Sequence, residues 1–255
     1  MKLKKQALSY FIVKFTFILV AFSISLSGRA NVSKDHKVTE PINRYLYVAV
    51  PGVRNYLGFG GHGLLIFDIS KNHQFVKRIP LRGLSKNGKP SNVKGIAVSL
   101  ATNSVYVSTL EALQRIDLTT NKIIWEKYYE GGCDRMSMSK DGKQIYQPSL
   151  EGEFWNIIDA ETGDVIKKVN TNPGAHNTVT SLDGSHVYLA GLRTKTLGVL
   201  DTHNNTVVKQ VGPFTEPIRP FTVNGKSTLC YVCINGLLGF EVGDLVTGKR
   251  LYGVA

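Results

Sequence analysis

Residues 141–164 read DGKQIYQPSLEGEFWNIIDAETGD, residues 183–206 read DGSHVYLAGLRTKTLGVLDTHNNT, and residues 224–248 read NGKSTLCYVCINGLLGFEVGDLVTG. Each stretch opens on Asp-Gly or Asn-Gly, a pair that suits the positive φ angles of a tight hairpin turn. A short apolar strand around a tyrosine follows. A second apolar strand then ends on an aspartate, and a second turn comes after it. An Asp placed before such a turn can accept backbone hydrogen bonds and hold it.

The pattern extends towards the N-terminus. The tyrosines are Tyr47, Tyr106, Tyr146, Tyr188 and Tyr231, and the last three steps between them are 40, 42 and 43 residues. The aspartates are Asp68, Asp117, Asp159, Asp201 and Asp244, with steps of 49, 42, 42 and 43. Two independent anchors share one period. The runs between turns, such as Lys122-Ile-Ile-Trp125 and Thr206-Val-Val-Lys209, are short and β-branched, and no amphipathic helical pattern follows residue 30. A unit of about 42 residues with about four strands has the period of a propeller blade. The expected fold is therefore all-β, a propeller of four-stranded antiparallel blades. The blades fall at 44–92, 93–132, 133–174, 175–217 and 218–255.

Val-Tyr-Val-Ser at 105–108, Val-Tyr-Leu at 187–189 and Tyr-Val at 231–232 resemble the YVTN-type repeat of exported prokaryotic β-propellers. The resemblance covers about residues 44–255, and no unit is a perfect YVTN. It implies a seven-bladed ring in the lactonase-like and quinoprotein-dehydrogenase-like superfamily. Five units are present, and the first starts at its second strand. The expectation is a ring truncated at the C-terminus, with an open ring as the alternative.

Residues 1–30 differ from the rest. Lys2, Lys4 and Lys5 precede an apolar run from Phe15 to Ser27, and Gly28-Arg29-Ala30 supplies small residues for cleavage. This is a signal-peptide pattern, and it predicts a periplasmic or extracellular protein with a linker at 31–43. Lys14 interrupts the hydrophobic stretch, which falls short of the ~20 residues of a membrane span. No stable span is expected after signal removal. Five of the 31 Lys/Arg and no Asp/Glu lie in residues 1–30, so the formal charge of +12 becomes +7 for the remainder. No run of five basic residues occurs, which argues against a nucleic-acid partner. Gly58-Phe-Gly-Gly-His-Gly63 matches a dinucleotide fingerprint, but a strand follows it instead of a helix, and no acid lies near position 78. It is read as an enlarged hairpin carrying His62. Cys230 and Cys233 form a C-x-x-C on a strand, where they point to opposite faces. They and Cys133 are read as packed core thiols, and Trp125 and Trp155 as packing residues.

In propellers of the kind this chain resembles, function sits on one face, at the starts of the first strands and in the hairpins between second and third strands. The strand starts here are Lys94-Gly95, Asp134-Arg135, His176-Asn177 and Arg219-Pro220. The hairpins carry Arg54, His62, Glu111, Glu151, Arg193 and Asn235. Convergent polar groups at one channel mouth define a binding site, so the candidate ligand-binding residues are His62, Asp134, Arg135, His176, Asn177, Arg193 and Arg219. Asp134 and Arg135 can instead pair with charges on adjacent blades, and His176 can be a hydrogen-bonded structural histidine. The first functional reading is a binding module for a protein, surface polymer or small molecule. The second is a lactonase or other hydrolase, with His176 as base, Arg219 as oxyanion stabiliser and Glu151 as acid. G-x-S-x-G, H-x-H, H-E-x-x-H and an acidic calcium loop do not occur, and no cofactor or metal is expected.

Overall fold

The computed structural model describes residues 43–50, 63–81 and 91–255. Arg44–Ala255 form one compact unit of five antiparallel sheets. Among the described residues blade 1 has three strands, β1 (Tyr45–Val50), β2 (Gly63–Asp68) and β3 (Gln74–Ile79). Blade 2 holds β4 (Val93–Ser99), β5 (Ser104–Thr109), β6 (Ala112–Asp117) and β7 (Ile123–Tyr128). Blade 3 holds β8 (Ser137–Met138), β9 (Gln144–Pro148), β10 (Phe154–Asp159) and β11 (Val165–Asn170). Blade 4 holds β12 (Ala175–Thr180), β13 (His186–Gly191), β14 (Leu197–Asp201) and β15 (Thr206–Val211). Blade 5 holds β16 (Ile218–Val223), β17 (Leu229–Ile234), β18 (Phe240–Asp244) and β19 (Lys249–Val254). In every blade, strand order in the sheet follows chain order. Blade 1 begins at the Tyr47 strand, so its three strands correspond to the second, third and fourth of the others. No helix among the described residues is long and apolar enough to cross a membrane.

The anchoring aspartates act as their position predicts. Asp68, Asp117, Asp159, Asp201 and Asp244 each accept a backbone N–H two residues on through Oδ1, at 2.7–3.0 Å. Three of them, Asp117, Asp159 and Asp244, also accept the N–H three residues on. The turn then passes through a left-handed residue at Asn72, Asn121, Gly163, Asn205 or Gly248, at φ of 54–76°. Hydrogen bonds from the Thr120 backbone and hydroxyl hold the Asp117 carboxyl below the usual carboxylate range. The other turn differs in one blade. Gly142 and Gly184 take positive φ, but after Asn224-Gly225 that role falls to Ser227 at φ 54°. The turn has the same length in all three blades, and Asn224 stands where Ser139 and Ser181 stand in blades 3 and 4, pairing with Leu229 as they pair with Gln144 and His186. Asn224 Oδ1 accepts the Thr228 and Leu229 N–H groups at 2.8 and 3.1 Å, where the Ser139 and Ser181 hydroxyls accept from Gln144 and His186.

Because strand side chains alternate, each blade has two faces, and the facing sides of successive blades pack on each other. Four apolar clusters fill the four interfaces. Leu64, Ile66, Val105, Val107 and Ile116 join blades 1 and 2. Tyr106, Leu113, Cys133 and Ile158 join blades 2 and 3. Tyr146, Trp155, Val187 and Leu189 join blades 3 and 4. Tyr188, Leu197, Phe214, Phe221 and Val232 join blades 4 and 5. Trp155 is fully buried, and its indole N–H donates to Thr178 Oγ1 across the interface at 2.9 Å.

The cysteines need one correction. Cys133 and Cys230 are packed thiols, and burial pushes both above the ordinary thiol value, Cys230 to about 11. Cys233 is exposed. It does point to the opposite face from Cys230, but no described blade covers that face. Maleimide is therefore expected to modify one thiol, Cys233, in the native protein at neutral pH, and all three after unfolding. Mass spectrometry of the labelled chain checks this, and rapid native modification of Cys133 would contradict the packing.

Candidate functional site

The first strands of neighbouring blades run side by side, which brings their starts together at one end of the propeller. Arg135 and Asn177, one repeat apart, form a parallel β-bridge. Gly95 of the preceding blade lies against the same backbone: a Cβ at Gly95 would sit 3.1 Å from Arg135 Cα and 3.0 Å from Ser108 Oγ. A side chain there would wedge blades 2 and 3 apart, so the glycine permits the close approach that builds the mouth.

Three of the expected residues form a hydrogen-bonded chain. Asp134 is completely buried. Its Oδ1 accepts the Arg135 backbone N–H at 3.0 Å, and its Oδ2 lies 2.6 Å from His176 Nδ1. On the other side of the ring, Arg135 Nη1 lies 2.6 Å from His176 Nε2. A guanidinium can only donate, so Nε2 is the acceptor and Nδ1 carries the proton donated to Asp134. The buried carboxylate thus fixes the tautomer of the imidazole, and the imidazole fixes the guanidinium. The His176 side chain is 14% exposed, and Arg135 opens to solvent. Among the described residues, no carboxylate lies within salt-bridge distance of Arg135.

A polar seam between blades 2 and 3 holds the chain from behind. Ser108 Oγ and Gln147 Nε2 both donate to the Asp134 carbonyl, at 2.8 and 2.9 Å, and both residues are fully buried. Gln147 Oε1 is buried without a hydrogen-bond partner. The sequence reading missed these two. The available signal for Gln147 was a polar residue on the buried face of a second strand, where the other units carry Val107, Leu189 and Val232.

The remaining candidates do not join this chain. Arg219 Nε donates to Asn235 Oδ1 at 2.7 Å within its own blade. Arg193 lies 3.7 Å from Glu153. Glu151 is exposed at φ 55°, in the left-handed conformation of its hairpin. Glu111 is half-buried in the equivalent hairpin of blade 2. His62 and Arg54 lie outside the described residues, as does all of the Gly58–Gly63 stretch except Gly63. No group of three His, Cys, Asp or Glu among the described residues is arranged to hold a metal ion. A cavity of about 530 Å³ opens at the other end of the first strands, lined by Ser139, Lys140, Asp141, Tyr146 and Asp183. Its two carboxylates hold their own turns. Bonds from the Ser181 hydroxyl and from the Ser185 backbone and hydroxyl hold Asp183 down at about 2.

Fold and repeat packing define the chain as an all-β propeller of five blades. Two solved structures share this fold. Hydrazine synthase of Kuenenia stuttgartiensis superposes with a TM-score of 0.57 at 16% identity, over 67% of this chain and 52% of that one. The dihydro-heme d1 dehydrogenase NirN in complex with DHE superposes with a TM-score of 0.60 at 16% identity, over 83% of this chain and 45% of that one. This chain thus spans about half the length of each. No family model and no curated protein matches the sequence.

Proposed function

We propose that this chain is an exported propeller of the YVTN-like kind that binds an anionic ligand at its channel mouth through Arg135. The observation that carries this reading is the Asp134–His176–Arg135 chain. One guanidinium N–H is spent on the imidazole, and among the described residues the others have no carboxylate partner. A pre-oriented guanidinium favours planar or tetrahedral oxyanions. The partner is then a carboxylated small molecule, an acidic surface polymer or an acidic protein segment. The basic character of the chain beyond residue 30 fits such a partner. Export rests on the pattern in residues 1–30.

A second reading is hydrolysis, which one observation favours. A buried Asp behind Nδ1 is how an imidazole is oriented for general-base work. Against it, the Nε2 lone pair is occupied by Arg135, and Arg219 and Glu151 do not reach the imidazole. The superposed structures are named as a synthase and a dehydrogenase, so propellers of this shape do occur in enzymes.

Titration with acetate and inorganic phosphate, followed by side-chain ¹⁵N shifts of Arg135, tests the first reading. Saturable shifts are expected in the native protein, and Arg135→Ala should lose the anion's stabilising effect on melting. An unchanged stabilisation in Arg135→Ala would sink it. Turnover on an ester and lactone panel that His176→Ala abolishes would establish the second reading instead.

A further inference from the structure

The Asp134–His176–Arg135 chain closes in one charge state of its central ring. With a neutral imidazole, Nδ1–H donates to Asp134 Oδ2 and the Nε2 lone pair accepts from Arg135 Nη1, each at 2.6 Å. A second proton on the ring has one place to go, Nε2. A guanidinium has donors and no acceptor, so Nε2–H and Nη1–H then face each other, donor against donor and cation against cation. The two groups must part. The link to Asp134 survives, because a carboxylate accepts from imidazole and imidazolium alike. Asp134 is completely buried and accepts the Arg135 backbone N–H through its other oxygen, so it stays in place.

Protonation therefore breaks the outer link of the chain and keeps the inner one. The buried carboxylate gives the imidazolium a counter-charge in contact, and the guanidinium repels it. An oxyanion between ring and guanidinium turns that repulsion into two attractions. It accepts from Nε2–H on one side and from the guanidinium on the other, and both bonds are charge-assisted.

Among the described residues the imidazole bonds to Asp134 and Arg135 alone. The elements packed around the start of β12 carry five further charges. The hairpin between β9 and β10 is tied to β12 by the Glu151 N–H, which donates to the Ala175 carbonyl at 3.0 Å, and it carries Glu151 and Glu153. The hairpin between β13 and β14 carries Arg193, β16 carries Arg219, and β4 carries Lys94. Arg193 faces Glu153 at 3.7 Å, and Arg219 is bonded to Asn235. None of the five lies within ion-pair distance of the ring.

We propose that the anion site is proton-gated: protonation of His176 releases Arg135 and makes the ring a second donor, so that Nε2–H and the guanidinium close together on one oxyanion. The inference rests on Arg135 as the anion's ligand, and it adds His176 as the second ligand and the proton as the regulator. Neutral His176 keeps Arg135 docked, with one N–H spent on the ring. Protonated His176 frees that N–H and brings a second positive charge to the mouth. Affinity for an oxyanion then rises as pH falls through the His176 titration. By reciprocity, the anion raises the midpoint of that titration by the same free energy.

Sulfate tests this, since it keeps its charge across the range. Ring ¹⁵N shifts give the His176 midpoint, and side-chain ¹⁵N shifts of Arg135 report release and binding. Without sulfate, the Arg135 signals should move in step with the His176 titration. Sulfate affinity should be about tenfold higher below the midpoint than above it, and saturating sulfate should raise the midpoint by about one pH unit. His176→Gln offers Arg135 an acceptor that never charges, so its sulfate affinity should be flat over the same range. Equal affinity on both sides of the midpoint, with an undisplaced midpoint, overturns the gate and leaves anion binding by Arg135 standing. A rise that persists in His176→Gln overturns it too, and places the titration on Glu151 or Glu153. Sulfate that binds on neither side overturns the binding function and the gate with it.

Discussion

Trp155→Ala is expected to destabilise the propeller by about 3–5 kcal/mol, the usual range for emptying an aromatic core site. The indole is fully buried between blades 3 and 4, among Tyr146, Ile157, Val187 and Leu189. It carries a polar handle as well, the bond to Thr178 Oγ1. Removing it leaves a cavity in an interface of strands already tied by turns on both sides, so collapse is limited. The melting temperature should fall by on the order of 10 °C for a domain of this size. Trp125→Ala should cost clearly less, because that indole lies half-exposed on a fourth strand. Thermal and urea unfolding followed by circular dichroism measure both. Equal losses for the two would contradict the packing described.

Asp134→Asn has the second-largest expected effect, about 1.5–3 kcal/mol, the worth of a hydrogen bond to a buried charged group. The side chain must accept from the Arg135 N–H and from His176 Nδ1–H together. An amide has one acceptor and one donor end. If its oxygen meets the Arg135 N–H, its NH₂ faces Nδ1 and forces the proton to Nε2. Nε2–H then confronts the Arg135 guanidinium, donor against donor, and the arginine loses its seat. The opposite amide orientation sets NH₂ against a backbone N–H. Asp134→Asn should therefore both lower stability and free Arg135, whereas Asn177→Ala should leave the chain of three intact, since Asn177 meets Arg135 through its backbone.

The blades could be read from the sequence because their turns are local. An aspartate that accepts the N–H groups two and three residues on needs nothing from elsewhere in the chain, so Asp117 or Asp159 marks its turn by itself. The mouth was legible only to the level of its strand starts. Equal repeat length places residue 134 beside residue 176, but whether the side chains meet depends on rotamers and on the backbone register that Gly95 permits. Residues such as Arg219, with a local partner in Asn235, look the same in sequence as residues that converge. The seam of Ser108 and Gln147 was hidden for a similar reason. A polar residue on a second strand is informative only once the carbonyl it bonds is known. Cys233 shows the limit of the repeat argument. Alternation assigned its face correctly, and the absence of a described neighbour on that face made it exposed.

The tautomer of His176 tests the mouth most directly, because the orientation of Arg135 follows from it. Side-chain ¹⁵N correlation spectra of the folded protein near neutral pH distinguish the two ring nitrogens. A proton on Nδ1, with Nε2 at the shift of a hydrogen-bonded acceptor that changes in Arg135→Ala, is the predicted result. A proton on Nε2, or an imidazole indifferent to both Asp134→Asn and Arg135→Ala, would contradict the Asp134–His176–Arg135 chain and the binding function proposed from it.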